Sequence, residues 1–228
     1  MNYTRNSIGW CDWTWNSIKG LCKGGCSYCY ARKIYQRFKL DPTIRFDLKE
    51  LNAPKKLKKP SKIFVCSTHD IFGDWLEREW VEWIFNMIQQ CPQHTFQVLT
   101  KYPQNIGKFI LNRTMPDNVW LGITITGKEL ISKQKRMLVD SVVLTKAKIN
   151  FISFEPLLEE ISFNAIWDYL DEIDWIILGG QSGSKKFFPP EKWIQKIEKQ
   201  AREKNIPIFE KDNLRKKWDK PPIRNFPV

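Results

Sequence analysis

Apolar positions along the chain fall into two alternating patterns. Short runs of β-branched, aliphatic and aromatic residues recur at 13–18, 62–67, 95–100, 119–125, 149–154, 175–178 and 207–209. Between them lie longer segments of helical period, at 31–39, 75–90, 103–111, 128–142, 163–170 and 190–204. In 75–90 the residues Trp80, Ile84, Met87 and Ile88 share one face, and Pro103 suits the first turn of the next helix. The short runs are nearly continuous in apolar character, as in strands of a parallel sheet covered by helices. Six βα units and a closing strand near the C-terminus predict an α/β fold, a partial (β/α)6 TIM-like barrel. A complete eight-unit barrel usually takes about 250 residues and fits less well; a doubly wound open sheet is the alternative. There is no internal repeat, low-complexity segment or domain boundary. The expectation is one domain over 1–228, with 210–228 as a basic C-terminal tail and the lysine run 55–59 as a linker within the domain.

Composition narrows the class. With 228 residues, 42% hydrophobic and 27% charged, the chain is neither disordered nor fibrous. A chain of this size buries about 70–75% of its unfolded surface, enough for a real core. No run reaches the roughly 18 apolar residues of a membrane span, and residues 1–18 lack the apolar stretch of a signal peptide, so a cytoplasmic location is expected. Lys and Arg number 37 against 25 Asp and Glu, a net charge of +12. Residues 1–114 hold 18 basic and 9 acidic side chains. That excess suits an anionic partner, or lysine enrichment for solubility or heat stability.

The cysteines are unevenly spread. Cys22, Cys26 and Cys29 fall within eight residues, while Cys11, Cys66 and Cys91 stand apart. In a reduced compartment such a cluster points to metal rather than disulfides. Gly20, Gly24 and Gly25 let the loop curl tightly, and Lys19 and Lys23 favour thiolates. Structural zinc sites usually add a second ligand pair, and none follows; a zinc reading must recruit Cys11, Cys66 or His69 singly. Three thiolates suit an iron–sulfur cluster with one open iron, since ordinary clusters take four.

Cys22-x3-Cys26-x2-Cys29, with Tyr28 before the last cysteine, resembles the signature of the radical S-adenosylmethionine (SAM) superfamily. Further segments, Asp12-Trp13-Thr14-Trp15-Asn16, Leu99-Thr100-Lys101-Tyr102-Pro103, Ser153-Phe154-Glu155-Pro156-Leu157 and Gly179-Gly180-Gln181-Ser182-Gly183, resemble a small phage-associated group with such cysteines. Spore photoproduct lyase, a DNA-repair radical SAM enzyme, is a more distant likeness. The resemblance implies that Cys22, Cys26 and Cys29 hold a 4Fe-4S cluster whose fourth iron takes S-adenosyl-L-methionine. It also implies reductive cleavage of that cofactor to a 5′-deoxyadenosyl radical, fed by a one-electron donor such as flavodoxin or ferredoxin. The family's glycine-rich motif after the second strand is replaced here by Val65-Cys66-Ser67-Thr68-His69-Asp70.

Working residues in parallel α/β folds gather at the carboxyl ends of strands. There stand Ser67, His69 and Asp70, then Thr100 and Lys101, Ser153 and Glu155, and Gln181. Each also suits a cap or a surface turn. Under the resemblance, Lys101 or Thr100 meets the SAM carboxylate, and Glu155 or Ser153 meets the ribose or amino group. Gly179, Gly180 and Gln181 lie by the adenosyl part, with Tyr28 beside the cluster. Cys66 is the candidate catalytic residue, returning a hydrogen atom to a product radical; a buried inert thiol is the alternative. Trp10, Trp13 and Trp15 either shield the cysteine loop or stack on a base. Aromatics beside basic residues make a nucleic acid the leading substrate, with a peptide, a small molecule, or a non-catalytic zinc module as the competing readings.

Overall fold

The computed structural model describes residues 1–4, 8–110, 114–127, 145–162, 167–182 and 187–228; the expected helix at 128–142, and the start of that at 163–170, lie outside the described residues. The fold is mixed α/β with a mostly parallel eight-strand sheet. By packing, the chain divides into two units, Met1–Leu121 with Thr145–Lys148, and Gly122–Leu144 with Ile149–Val228. No described helix is long and apolar enough to cross a membrane.

The first unit holds strands β1 (Asn2–Tyr3), β2 (Trp13–Trp15), β3 (Ile18–Lys19), β4 (Arg45–Phe46), β5 (Lys62–Val65) and β6 (Thr95–Thr100), and helices α1 (Tyr30–Phe38), α2 (Leu48–Leu51), α3 (Arg78–Gln89) and α4 (Ile106–Ile110). Strands β2, β5 and β6 run parallel, β1 is antiparallel to β2, and β3 pairs antiparallel with β4. Its core takes Ile63 and Val65 from β5, Phe96 and Val98 from β6, and Val81, Ile84, Phe85 and Ile88 from α3. The i, i+3, i+4, i+7 spacing of those α3 residues is that of one buried helix face.

Two expected strands end early, for local reasons. The run 13–18 stops at Trp15 because the Asn16 carboxamide oxygen accepts the Thr68 amide at 3.2 Å and the Ser67 hydroxyl at 3.2 Å. The chain then restarts as β3. The run 62–67 stops at Val65 because Cys66 takes a left-handed φ of 54°, incompatible with an extended strand. Helix α1 starts directly from the cysteine loop and buries only Ala31.

The second unit holds β8 (Ile149–Phe154), β9 (Trp175–Leu178) and β10 (Ile208–Glu210), all parallel, and helix α5 (Glu191–Glu203). Strand β7 (Val119–Thr124) contributes residues to both units. The second core gathers Ile152, Phe154, Ile176 and Leu178 with Ile194 and Ile197 of α5. Each such side chain, fully buried, stabilises the fold by about 1.5–3 kcal/mol. Parts of the segment 210–228 pack on this unit. Phe226 stacks on Trp175 at 5.3 Å, and the Trp175 indole N–H donates to the Asn225 carbonyl at 2.8 Å. The Arg215 guanidinium reaches Glu191 at 2.9 Å, Glu198 at 2.6 Å and Glu210 at 2.5 Å.

Candidate metal and cofactor site

None of the six cysteines forms a disulfide. Cys22, Cys26 and Cys29 are half-buried on the loop that leads from β3 into α1. Cys29 caps α1, its sulfur accepting the Arg32 amide at 3.4 Å, and the Cys22 sulfur accepts the Gly24 amide at 3.4 Å. Gly25 takes a φ of 69°, which a glycine adopts without steric cost. A Cβ on Gly24 would stand 3.2 Å from the Tyr102 hydroxyl and 3.3 Å from the Cys22 sulfur, so the loop is tightly seated under Tyr102. That hydroxyl donates to the Gly24 carbonyl at 3.4 Å, and the Tyr102 ring meets Trp75 edge-on at 5.3 Å.

Asp70 organises the floor of this loop. Its carboxylate is buried and accepts the Thr100 hydroxyl at 2.6 Å, the Lys101 amide at 2.7 Å and the Phe72 amide at 3.2 Å. Burial pushes its pKa up, against those hydrogen bonds and the Lys101 charge. The Cys22 thiol is also pushed up, first by burial and further by the Asp70 and Cys26 charges, while the amides of Gly24 and Asp70 favour its thiolate. Amides aimed at sulfur are among the groups that tune a cluster held by thiolates.

The donor set fits such a group: three soft sulfurs on one short loop, none bridged, with backbone amides turned toward two of them. Among the described residues, no three His, Cys, Asp or Glu side chains are gathered closely enough to hold a single metal ion.

The other candidates of the first unit are placed as follows. Tyr28 is half-buried beside Cys29. The Thr100 hydroxyl is committed to Asp70 and also accepts the Tyr102 amide at 2.9 Å, so it shapes the turn after β6. The half-buried Lys101 side chain leaves from that turn. Cys66 is buried, and its thiol is pushed up to about 12 by burial, so it holds its hydrogen at neutral pH. Cys11 is buried against the Thr4 hydroxyl at 3.2 Å, and Cys91 is buried at the end of α3. Trp10 packs on Phe64, Trp13 on Tyr3 and Trp15 on Phe96; the aromatics beside Gly24 of the loop are Tyr102 and Trp75.

In the second unit, Glu155 is paired with Lys211, whose amide donates to the Leu178 carbonyl at 2.8 Å. A Cβ on Gly179 would stand 3.0 Å from Glu155 Cγ, and one on Gly180 would stand 2.2 Å from the Asn213 carbonyl oxygen. Both glycines therefore admit close packing within this unit. The Ser153 hydroxyl is fully buried without a hydrogen-bond partner among the described residues. The Gln181 amide reaches the Phe187 carbonyl at 3.4 Å.

A family described as "Protein of unknown function (DUF5131)" matches residues 5–219. The chain belongs to the DUF5131 family. Among curated proteins, none matches. Solved structures of spore photoproduct lyase share its fold. A double mutant of that lyase with bound AdoMet and dinucleoside spore photoproduct superimposes with a TM-score of 0.57 at 14% identity, covering 88% of this chain and 63% of the lyase chain. A single-substitution mutant gives 0.57 at 9% identity, over 91% of this chain and 78% of that one. A complex with dinucleoside spore photoproduct gives 0.52 at 12% identity, over 89% and 75%. The fold of this DUF5131 chain is thus like that of spore photoproduct lyase, and the chain spans less than two thirds of the first of these lyases.

Two residues of this DUF5131 chain were undervalued by sequence reasoning. Asp70 reads equally well as a cap, and its partners Thr100 and Lys101 lie 30 and 31 residues away, beyond any local signal. Lys211 directly follows β10 as Lys101 follows β6, so the rule that singled out Lys101 would have found it.

Proposed function

We propose that this chain is a radical SAM enzyme, built on a partial (β/α)6 barrel, that acts on a nucleic acid. The observation that carries the reading is the Cys22, Cys26 and Cys29 triad, seated on one glycine loop in a radical SAM-like fold. Those three thiolates would hold a 4Fe-4S cluster one ligand short of saturation. When bound, the cluster and S-adenosyl-L-methionine supply one-electron cleavage of the sulfonium and abstraction of a hydrogen atom from the substrate. Asp70 fixes the turn carrying Lys101, whose ammonium is the cation for the cofactor carboxylate. Trp75 and Tyr102, packed beside Gly24 of the loop, would shield one side of a bound cofactor from water. Cys66, whose thiol keeps its hydrogen, would give that hydrogen atom to a product radical, and the thiyl radical left behind would return to the thiol by taking one electron from the one-electron donor and a proton. The nucleic-acid substrate rests on the net charge of +12 and on the dinucleoside bound by the structurally similar lyase.

Anaerobic reconstitution tests this. The expected product is a brown protein with about four irons and four sulfides per chain, which releases 5′-deoxyadenosine from SAM under a one-electron reductant, faster with single-stranded or duplex nucleic acid present. A colourless protein that retains one zinc, or a cluster-loaded protein that leaves SAM intact, overturns it. SAM affinity unchanged by Lys101→Ala removes Lys101 from its role.

A further inference from the structure

A second feature of the first unit lies at the other ends of the strands. β2 and β5 run parallel, Trp13 beside Ile63, and both lead toward the cysteine loop and Asp70. At their starting ends a surface cleft of about 380 Å³ is lined by Tyr3, Asp12, Trp13, Leu57, Lys58 and Lys59. Tyr3 is 56% exposed and meets Trp13 edge-on, with centroids 5.0 Å apart. Lys55, Lys56, Lys58 and Lys59 are all exposed, and no acidic residue occurs between 51 and 69. The lining carboxylate of Asp12 accepts the Lys62 amide at 2.8 Å.

We propose that this cleft holds a nucleotide of a single-stranded nucleic acid, its base against Tyr3 and Trp13 and its flanking phosphates on Lys58 and Lys59. An aromatic face beside cations is how strands are held without regard to sequence, because every base has a π-face and every linkage a negative charge. A duplex keeps its bases stacked on one another and offers Tyr3 nothing. An acidic peptide would use the lysines and leave the exposed ring idle. The site is an anchor remote from the cysteine loop, and it rests on the nucleic-acid reading above.

The test is anisotropy of a labelled single-stranded oligonucleotide titrated with the reconstituted full chain over a salt series. Tyr3→Ala is expected to weaken binding at least about fivefold, while Tyr3→Phe, which keeps the ring, binds like the wild type. Lys58→Ala with Lys59→Ala is expected to reduce the slope of log affinity against log salt by about 1.4. Cleavage of SAM without nucleic acid stays unchanged in all three, which shows them folded. Wild-type binding that the variants leave intact overturns the cleft and spares the substrate reading. A wild-type chain that cleaves SAM but binds no oligonucleotide overturns both. Displacement of the oligonucleotide by an oligoglutamate of equal charge, as effectively as by unlabelled strand, overturns the cleft in favour of a peptide.

Discussion

His69 offers a direct measurement of what burial costs in this protein. The ring is 6% exposed, and neither nitrogen has a hydrogen-bond partner among the described residues. Burial alone holds its pKa down, at about 4 against an ordinary 6.5. Between those values the unfolded chain carries a proton that the folded chain refuses. Stability is therefore complete above pH 6.5 and falls as pH drops toward 4. Each pH unit in that window is worth about 1.4 kcal/mol, about 3 kcal/mol across it, less what water reaching the ring edge relieves. His69→Leu removes the proton site at similar volume and the two orphan nitrogens with it. Urea unfolding followed by tryptophan fluorescence, at half-unit steps from pH 4.5 to 7.5, reads the effect. The wild type should lose stability more steeply than the variant on acidification, by close to one proton. His94, also lowered by burial, is present in both chains and cancels. Parallel pH profiles for the two proteins would refute the reasoning.

Three further outcomes follow from named contacts. Arg215→Ala strips the cation from Glu198, 6% exposed, and Glu210, fully buried; a loss of about 3–5 kcal/mol is expected in urea unfolding, and a loss under about 1 kcal/mol would class the network as a surface pair. Gly122→Ala places a Cβ 2.3 Å from the Phe151 ring and should cost about 1–3 kcal/mol, with Phe151→Leu in the same chain relieving part of it; additive losses would contradict the clash. Cys22→Ala should abolish iron binding and the absorbance near 400 nm after reconstitution, whereas Cys11→Ala and Cys91→Ala, at buried positions away from the loop, should load iron normally; equal loading by all three would dissolve the triad.

The longer elements were readable from their patterns. The runs at 95–100, 149–154 and 175–178 coincide with β6, β8 and β9, and 190–204 with α5 to within a residue at each end. Such segments carry enough apolar positions to declare a period by themselves. The two-residue strands β1, β3 and β4 carry no period, and they exist only because a partner strand supplies their hydrogen bonds. The cysteine loop was legible because its chemistry is local: three thiols and three glycines within ten residues.

By itself, then, the amino-acid order determined the α/β alternation and the sulfur triad, which need only neighbours along the chain. The tertiary structure decided what surrounds them. It brought the Thr100 hydroxyl to the Asp70 carboxylate, and it set Gly180 against a carbonyl from residue 213. It also gave Glu155 a lysine partner 56 residues away. These contacts join residues thirty or more positions apart, and no local pattern encodes them. A buried carboxylate must find its donors, and a backbone its clearance, from whichever strand the packing of the core brings alongside.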